Sequence, residues 1–543
     1  MKLLLGIAAG AACLVIMAAN QGYAYELNTP VTDSGTLVES LKILHDETDE
    51  DKDLHFWAAI NRLNLTLSKN YLMGGIRYDT EAYFEKDQYR VKYLLEKAFV
   101  QYENHGLFLR GGDFYTNMGN GLLLSVLKRD EFGMDNTIRG GIAQYGDAGG
   151  YVELRALGGF INEGDDLSFK PERTEQEEPD FDEQDTVYGG QMELGKPGWG
   201  FLELRGLAGA LQPNESIGAI DLEEEDPFQL FAVGGRWLNF GDHGSFRGEY
   251  AWYEIEDRKK DVDSIELEGR AAYGALNLDF YPVTFLFEGQ DYYHFNFPYA
   301  EPPILEFEKQ TFGHAPDRED IIGGRGYMEI FIPGIEVSVH GNYYRAARHE
   351  RVPDELAGHY DATDEKDAEE TGEWIEHSYG GVEKIFDGGA YVMAGGGYRE
   401  EHEAPEGRWA HGEFDGGVPI TSKHELTIEA RYKDFYQTTG FFKGEQYGTW
   451  SASPAWNYSP YMSLTGRYEF SDEPAVASGV VGAGQTDEDD NDYWSGELTV
   501  HAGQHVDMKF FYGSVKGGLL CSGGVCQQVP AFEGLKADLT LRF

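Results

Sequence analysis

Apolar and polar side chains alternate along many short stretches of this chain. Leu426, Ile428, Ala430 and Tyr432 interleave with Thr427, Glu429, Arg431 and Lys433. Met462, Leu464, Gly466 and Tyr468 interleave with Ser463, Thr465, Arg467 and Glu469. Ile335, Val337 and Val339 do the same with Glu336, Ser338 and His340, and Val506, Met508 and Phe510 with Asp507, Lys509 and Phe511. A two-residue period sends one set to each face of a strand. In a soluble sandwich the apolar faces would meet in a shared core. Here the opposite face is charged so regularly that a wet interior fits better. The pattern predicts an all-β protein: a large single-chain antiparallel transmembrane β-barrel, apolar outside and polar within.

The linkers between these stretches alternate in length. Residues 514–531, 471–491, 346–375, 293–322, 210–227 and 161–185 are long. The linkers 502–503, 387–388, 332–334, 280–281, 240–242 and 196–198 are tight, and 255–264 is intermediate. Outer-membrane barrels have short periplasmic turns and long extracellular loops. The stretches number 23 or 24, the doubtful one being Gly121 to Lys128. A single-chain bacterial barrel has an even number of strands, so 24 are expected, with 22 as the alternative. Residues 25–53 read as an acidic periplasmic segment too short to fold into a plug, and 54–543 as the barrel. With no separate plug domain, the long outer loops are the material available to narrow the lumen.

Both chain ends fit export to an outer membrane. The last residues run Leu535, Lys536, Ala537, Asp538, Leu539, Thr540, Leu541, Arg542, Phe543. This amphipathic strand ending on an aromatic resembles the C-terminal assembly signal of Gram-negative outer-membrane barrels. Leu539, Leu541 and Phe543 are its candidate membrane assembly signal. At the other end, Lys2, the apolar run Leu3 to Ala19 and the small-x-small site Gly22-Tyr23-Ala24 read as a signal peptide over 1–24. Cys13 raises a lipid-anchor reading, but Gly10 suits that site poorly and apolar Leu14 to Met17 follow it.

Charge sharpens the picture. Lys and Arg total 44 against 95 Asp and Glu, a formal net charge of −51, which argues against nucleic acid as partner. A mean hydropathy of −0.47 would exclude a bundle of membrane helices. It does not exclude a barrel, in which only alternate strand residues face lipid. The acidic runs fall in the expected outer loops: Glu163 to Asp185, Glu223 to Asp226, Asp361 to Glu373 and Asp487 to Asp490. Asp487, Asp489 and Asp490 resemble part of a calcium loop but lack its spaced ligands, central Gly and terminal Glu. No cofactor is expected. A bridge of Ca²⁺ or Mg²⁺ between these carboxylates, or from them to lipopolysaccharide phosphates, is the one metal reading they offer.

Cys521 and Cys526, in Cys-Ser-Gly-Gly-Val-Cys, are the only cysteines outside the signal. An even pair in an exported chain favours a disulfide, with a metal pair or a redox switch as the other readings. A second unusual stretch runs Arg110-Gly-Gly-Asp113-Phe114-Tyr115, then Gly119-Asn120-Gly121-Leu122, then Phe132 through Asp135 to Arg139-Gly140. With Cys521 to Cys526 and Val529-Pro530-Ala531, it resembles an uncharacterised family of Gram-negative outer-membrane β-barrels, defined as a domain of unknown function. That resemblance implies fold and compartment and supplies no activity. Asn120 stands where Arg or Ser is expected. From the residues themselves, Gly119 and Gly121 suit a sharp reversal or a close approach of two chains. Arg110, Asp113, Asp135 and Arg139, with Tyr115 nearby, are candidates for one ion-paired cluster in the lumen. A structural latch is the favoured reading of it, a solute site the other.

No Gly-x-Ser-x-Gly elbow, His-Glu-x-x-His or phosphate loop is present, and the chain is expected not to be an enzyme. The function expected is a porin-like channel for passive passage of small solutes, favouring cations. The alternative is a barrel that sheathes or anchors another exported protein in a surface or redox assembly. Expected partners are outer-membrane lipid and lipopolysaccharide, the barrel assembly machinery, small solutes and, on the alternative reading, another protein.

Overall fold

In the computed structural model, 24 antiparallel strands join into one sheet. The first, Ser34–Asp46, pairs with Phe56–Lys69 on one side and with the last, Phe532–Arg542, on the other, so the sheet closes into a barrel. The remaining wall strands pair in chain order. The structure describes the chain from residue 34 onward, apart from 47–55, 86–87, 130–133, 148, 163–184, 197–198, 212–215, 218–219, 222–225, 239–242, 258–264, 296, 298, 308–319, 350–373, 403–406, 438–445, 473–491, 517, 523–524 and 530–531. Residues 1–24 therefore lie outside the described residues.

The expected count of 24 is correct, but its membership needs one exchange. Gly121 to Lys128 is not in the wall; Leu124–Val126 pairs instead with Thr116–Met118. The missing strand is Ser34–Asp46, inside the segment 25–53 expected to stand apart from the barrel. Its alternation is poor, because Glu39 shares a face with Leu37 and Leu41, while Val38 and Leu44 share a face with Ser40 and Lys42. A period of two is hard to see when both sets are mixed.

Turns of two to five residues join the strands at one end, among them 281–282, 333–336 and 503–505. The other end carries the long connections, including 115–136, 163–185, 294–320 and 349–373. At the tight turn 147–151, the Asp147 carboxylate accepts N–H bonds from Val152 and Tyr151 at 2.6 Å and from Gly149 at 3.0 Å. These bonds, that from Val152 foremost, hold its carboxyl below the usual carboxylate range.

The wall alternates as its sequence requires. On His424–Gln437, Leu426, Ile428 and Tyr432 are exposed on the outer surface. Glu429 and Arg431 form an ion pair of 2.7 Å on the opposite face and remain largely open to solvent there. Lys509 with Glu497, and Arg467 with Glu469, repeat this pattern on later strands. The wet interior expected from the sequence thus describes one arc of the barrel.

It fails on the other arc. From Thr137–Gly146 round to Trp374–Ile385, inward positions near the long-connection end are apolar and buried: Ile138, Leu157, Val187, Leu207, Phe228 and Tyr253 are examples. They pack on two segments that leave the wall, the first after Phe114 and the second after Tyr293. Small inward residues, Ala232, Ala251, Ala271 and Ala346, join the same core. Small side chains at these wall positions leave room for chain inside.

Candidate functional site

The filled half of the lumen is the candidate site, because it sets what space remains inside the barrel. Its centre is Leu122, Leu123 and Leu124, each with no exposed surface. Burial of this kind contributes about 2–3 kcal/mol per leucine. The first inserted segment is strapped to the second: Glu301 N–H donates to Gly121 O at 2.7 Å, and Ser125 N–H donates to Tyr299 O at 2.8 Å. The Ser125 hydroxyl also donates to the Glu301 carboxylate at 2.5 Å. A Cβ on Gly121 would stand 2.2 Å from Glu301 O, at a φ of +88°, so only glycine fits this crossing.

Gly119 and Asn120 meet the wall. Asn120 donates to Glu249 through its backbone N–H at 2.9 Å and its side-chain amide at 2.7 Å. Glu249 in turn pairs with Arg205 at 2.6 Å. Gly119 has φ +74°, and a Cβ there would fall 2.1 Å from the Glu249 carboxylate. The segment thus reverses against a charged pair that no local pattern in the chain locates.

Arg110, Asp113, Asp135 and Arg139 do not form the single cluster expected of them. They divide into two groups. Asp135, fully buried, is held by Arg77 and Lys97, with the Tyr115 hydroxyl donating to it at 2.5 Å. Arg77 also donates to Asp79 at 2.9 and 3.0 Å. Asp113 pairs instead with Arg139 at 2.9 Å, while Arg110 donates to the Asp113 backbone oxygen at 3.0 Å. The reason is geometric: Asp113 and Arg139 face each other across a ladder, whereas Asp135 lies in a separate short pairing with Lys128. Arg77, Asp79 and Lys97 escape sequence reasoning, for they sit on ordinary-looking strands.

The second inserted segment has its own anchor, which sequence reasoning also misses. Glu306, fully buried, meets His377 Nδ1 at 2.5 Å and Arg399 Nε at 3.5 Å. His377 Nε2 lies 2.7 Å from His411 Nε2, so one ring donates to the other. Phe307 stacks on Tyr379 with centroids 4.1 Å apart.

Cys521 and Cys526 stand opposite each other in the hairpin of Gly518–Ser522 and Val525–Val529. Leu539 and Leu541 lie in the closing strand, paired across to Leu41 and Glu39, and Phe543 exchanges backbone bonds with Leu37. Asp487, Asp489 and Asp490 lie outside the described residues.

Residues 464–543 match the model of a family of unknown function, DUF6029. This match bears out the resemblance to a domain of unknown function; it takes in Cys521 to Cys526 and leaves the 110–140 stretch outside. No curated protein matches the chain. Among solved structures it is similar to the siderophore receptor PirA of Pseudomonas aeruginosa, at 10% identity over 94% of this chain and 80% of that one, TM-score 0.46. The P pilus usher PapC translocation pore is similar at 7% identity over 94% and 99%, TM-score 0.42. The outer membrane transporter YddB of Escherichia coli is similar at 8% identity over 94% and 81%, TM-score 0.42. These are likenesses of fold alone.

Proposed function

We propose that the protein is a porin-like channel of the outer membrane through which small solutes pass passively, cations more readily than anions. The observation that carries this reading is the open arc. Its inward wall is charged and solvated, while the opposite half is filled and narrows the passage. The wall itself supplies little selectivity, since Arg431, Arg467 and Lys509 are each paired with a glutamate. The excess charge sits instead in the long connections. Residues 163–184 carry ten Asp and Glu against Lys170 and Arg173, and residues 350–373 carry ten against Arg351 and Lys366. Such a mouth concentrates cations, and salt screens it within roughly 10 Å at 0.1 M.

Reversal potentials across a salt gradient in planar bilayers should therefore show cation preference that shrinks as salt rises. Changing the carboxylates of 163–184 and 350–373 to amides should remove most of it. Anion preference in the unaltered protein would overturn the assignment. On this reading the outward apolar row meets outer-membrane lipid and the acidic mouth meets lipopolysaccharide. The closing strand, with Leu539, Leu541 and Phe543, is the segment offered to the barrel assembly machinery.

The same setting is oxidising, and we propose a disulfide between Cys521 and Cys526. Directly opposed residues of an antiparallel pair have Cα atoms within disulfide reach, about 4.5–5.5 Å. So short a closed loop stabilises little, about 2 kcal/mol on the loop-entropy account. Intact-mass analysis under denaturing, thiol-blocking conditions should find no alkylated cysteine. Two alkylated thiols would restore the metal or redox readings.

A further inference from the structure

We propose that His377 and His411 form an acid-released clasp. It holds the end of the second inserted segment, Leu305 to Phe307, against the wall and frees it as the pH falls through the histidine range. The proposal goes beyond the channel reading and does not depend on it. His377 lies on Trp374–Ile385 and His411 on Gly407–Pro419, with Tyr391–Glu401 running between them. The two rings close over that middle strand at Gly397. A Cβ there would fall 2.4 Å from His411 Nε2 and 3.0 Å from His377 Nε2. Bare backbone at this position lets the imidazoles meet, Nε2 to Nε2, at 2.7 Å.

The inserted segment is fastened to this pair at two points. Glu306 meets His377 Nδ1 at 2.5 Å. Phe307 stacks on Tyr379 at 4.1 Å and on His411 at 6.0 Å, and stands edge-on to His377 at 5.8 Å. Moving His411 away therefore removes one ring from the Phe307 stack and the partner that fixes the His377 ring toward Glu306.

The contact limits how many protons the two rings hold. An Nε2–H···Nε2 bond has one hydrogen between two nitrogens, so one of the rings must be neutral. Two imidazolium rings would set N–H against N–H with like charges in contact. A second proton thus enters only when the pair parts. His411 is the ring placed to move: it is half-buried, whereas His377, Glu306 and Arg399 are out of solvent. The surrounding elements supply charges of both signs. Arg399 lies 3.5 Å from Glu306 and 3.2 Å from Glu401, and Tyr379 donates to Glu413. Tyr344 and Lys433 are ladder neighbours of His377 and His411, and His340 stacks on Tyr379. The carboxylates steady one imidazolium in this group, while Arg399 and Lys433 oppose a second. Between about pH 5 and 8 an imidazole is the side chain that ordinarily changes charge. The clasped pair holds one proton fewer than two released rings can. It is therefore fully closed above the ordinary histidine value of about 6.5 and weakens up to tenfold per pH unit below it.

The test is hydrogen exchange of the full-length barrel in phosphatidylcholine vesicles, corrected for the intrinsic effect of pH on exchange. Protection at 305–307 should stay level from about pH 8 to 7 and fall roughly five- to tenfold from about pH 6 to 5. Protection in the wall strand His424–Gln437 should not change. His411→Gln, whose amide donates to His377 without titrating, should hold protection at 305–307 level across the whole range. His411→Lys, a fixed cation, should show at neutral pH the loss that acid causes in the unaltered protein. His340→Gln should titrate as the unaltered protein does, which separates the clasp from the imidazole beside it. Protection at 305–307 that ignores pH, or an acid loss that persists in His411→Gln, would overturn the clasp. So would a His411→Lys barrel as well protected at neutral pH as the unaltered one, a result that stands whether or not the Gln variant assembles.

Discussion

Leu123→Asp should raise the ion conductance of the barrel several-fold while the barrel still assembles. Leu123 has no exposed surface and lies among Phe114, Met118, Leu122 and Leu124. A carboxylate there would have no partner, and an unpaired buried charge costs far more than one leucine contributes. The segment is poorly placed to absorb that cost. Ordering it takes about 1–2 kcal/mol per residue in backbone entropy. Each buried leucine offsets about 2–3 kcal/mol of that cost, so putting a charge in place of one weighs heavily against the docked segment. The wall is a separate matter, since its 24 strands hold one another through main-chain ladders that Leu123 does not touch. Planar-bilayer conductance, read beside heat-modifiable gel migration as the sign of a closed barrel, checks the claim. Unaltered conductance from a properly migrating barrel would show that the inserted segment does not limit passage.

The wall was legible in the sequence because lipid outside and water inside enforce a period of two, as along Leu426 to Lys433. The filled half was not, yet a signal for it exists. Where an inward face packs on protein, the alternation lapses into a continuous apolar run. Leu230-Phe231-Ala232-Val233 and Tyr250-Ala251-Trp252-Tyr253 are such runs, with Leu230, Ala232, Ala251 and Tyr253 buried inside and Phe231, Val233, Tyr250 and Trp252 exposed outside. Leu122-Leu123-Leu124 carries the complementary signal, an apolar run between glycines and basic residues, where a strand and a buried insertion read alike. Charge partners are the hardest to foresee. Asp135 is 58 residues from Arg77, Asn120 is 129 from Glu249, and Glu306 is 71 from His377. Nothing local in the chain specifies such pairings; barrel closure and the path of the inserted segments do.

Asp135→Asn should loosen the first inserted segment more than any other single charge removal in the 110–140 stretch. Asp135 is the carboxylate between Arg77 and Lys97, and all three are largely or wholly out of solvent. Arg77 keeps Asp79 after the change, but Lys97 loses its carboxylate and retains the Tyr115 hydroxyl. Breaking a buried pair by removing one partner costs about 3–5 kcal/mol, because the remaining charge stays desolvated. Asp113→Asn differs, since Arg139 keeps its bond to the Glu96 backbone oxygen after the change. Hydrogen exchange at 115–129 should therefore speed up strongly in Asp135→Asn, while exchange in the wall strands 424–437 and 532–542 stays as it was. Asp135→Glu, which keeps the charge, should recover part of the protection. A double-mutant cycle with Lys97→Met measures the pair itself: removing the stranded cation should return much of what Asp135→Asn costs. Equal protection in Asp135→Asn and the unaltered protein would mean that the leucine core alone holds the segment and that the ion cluster is not its latch.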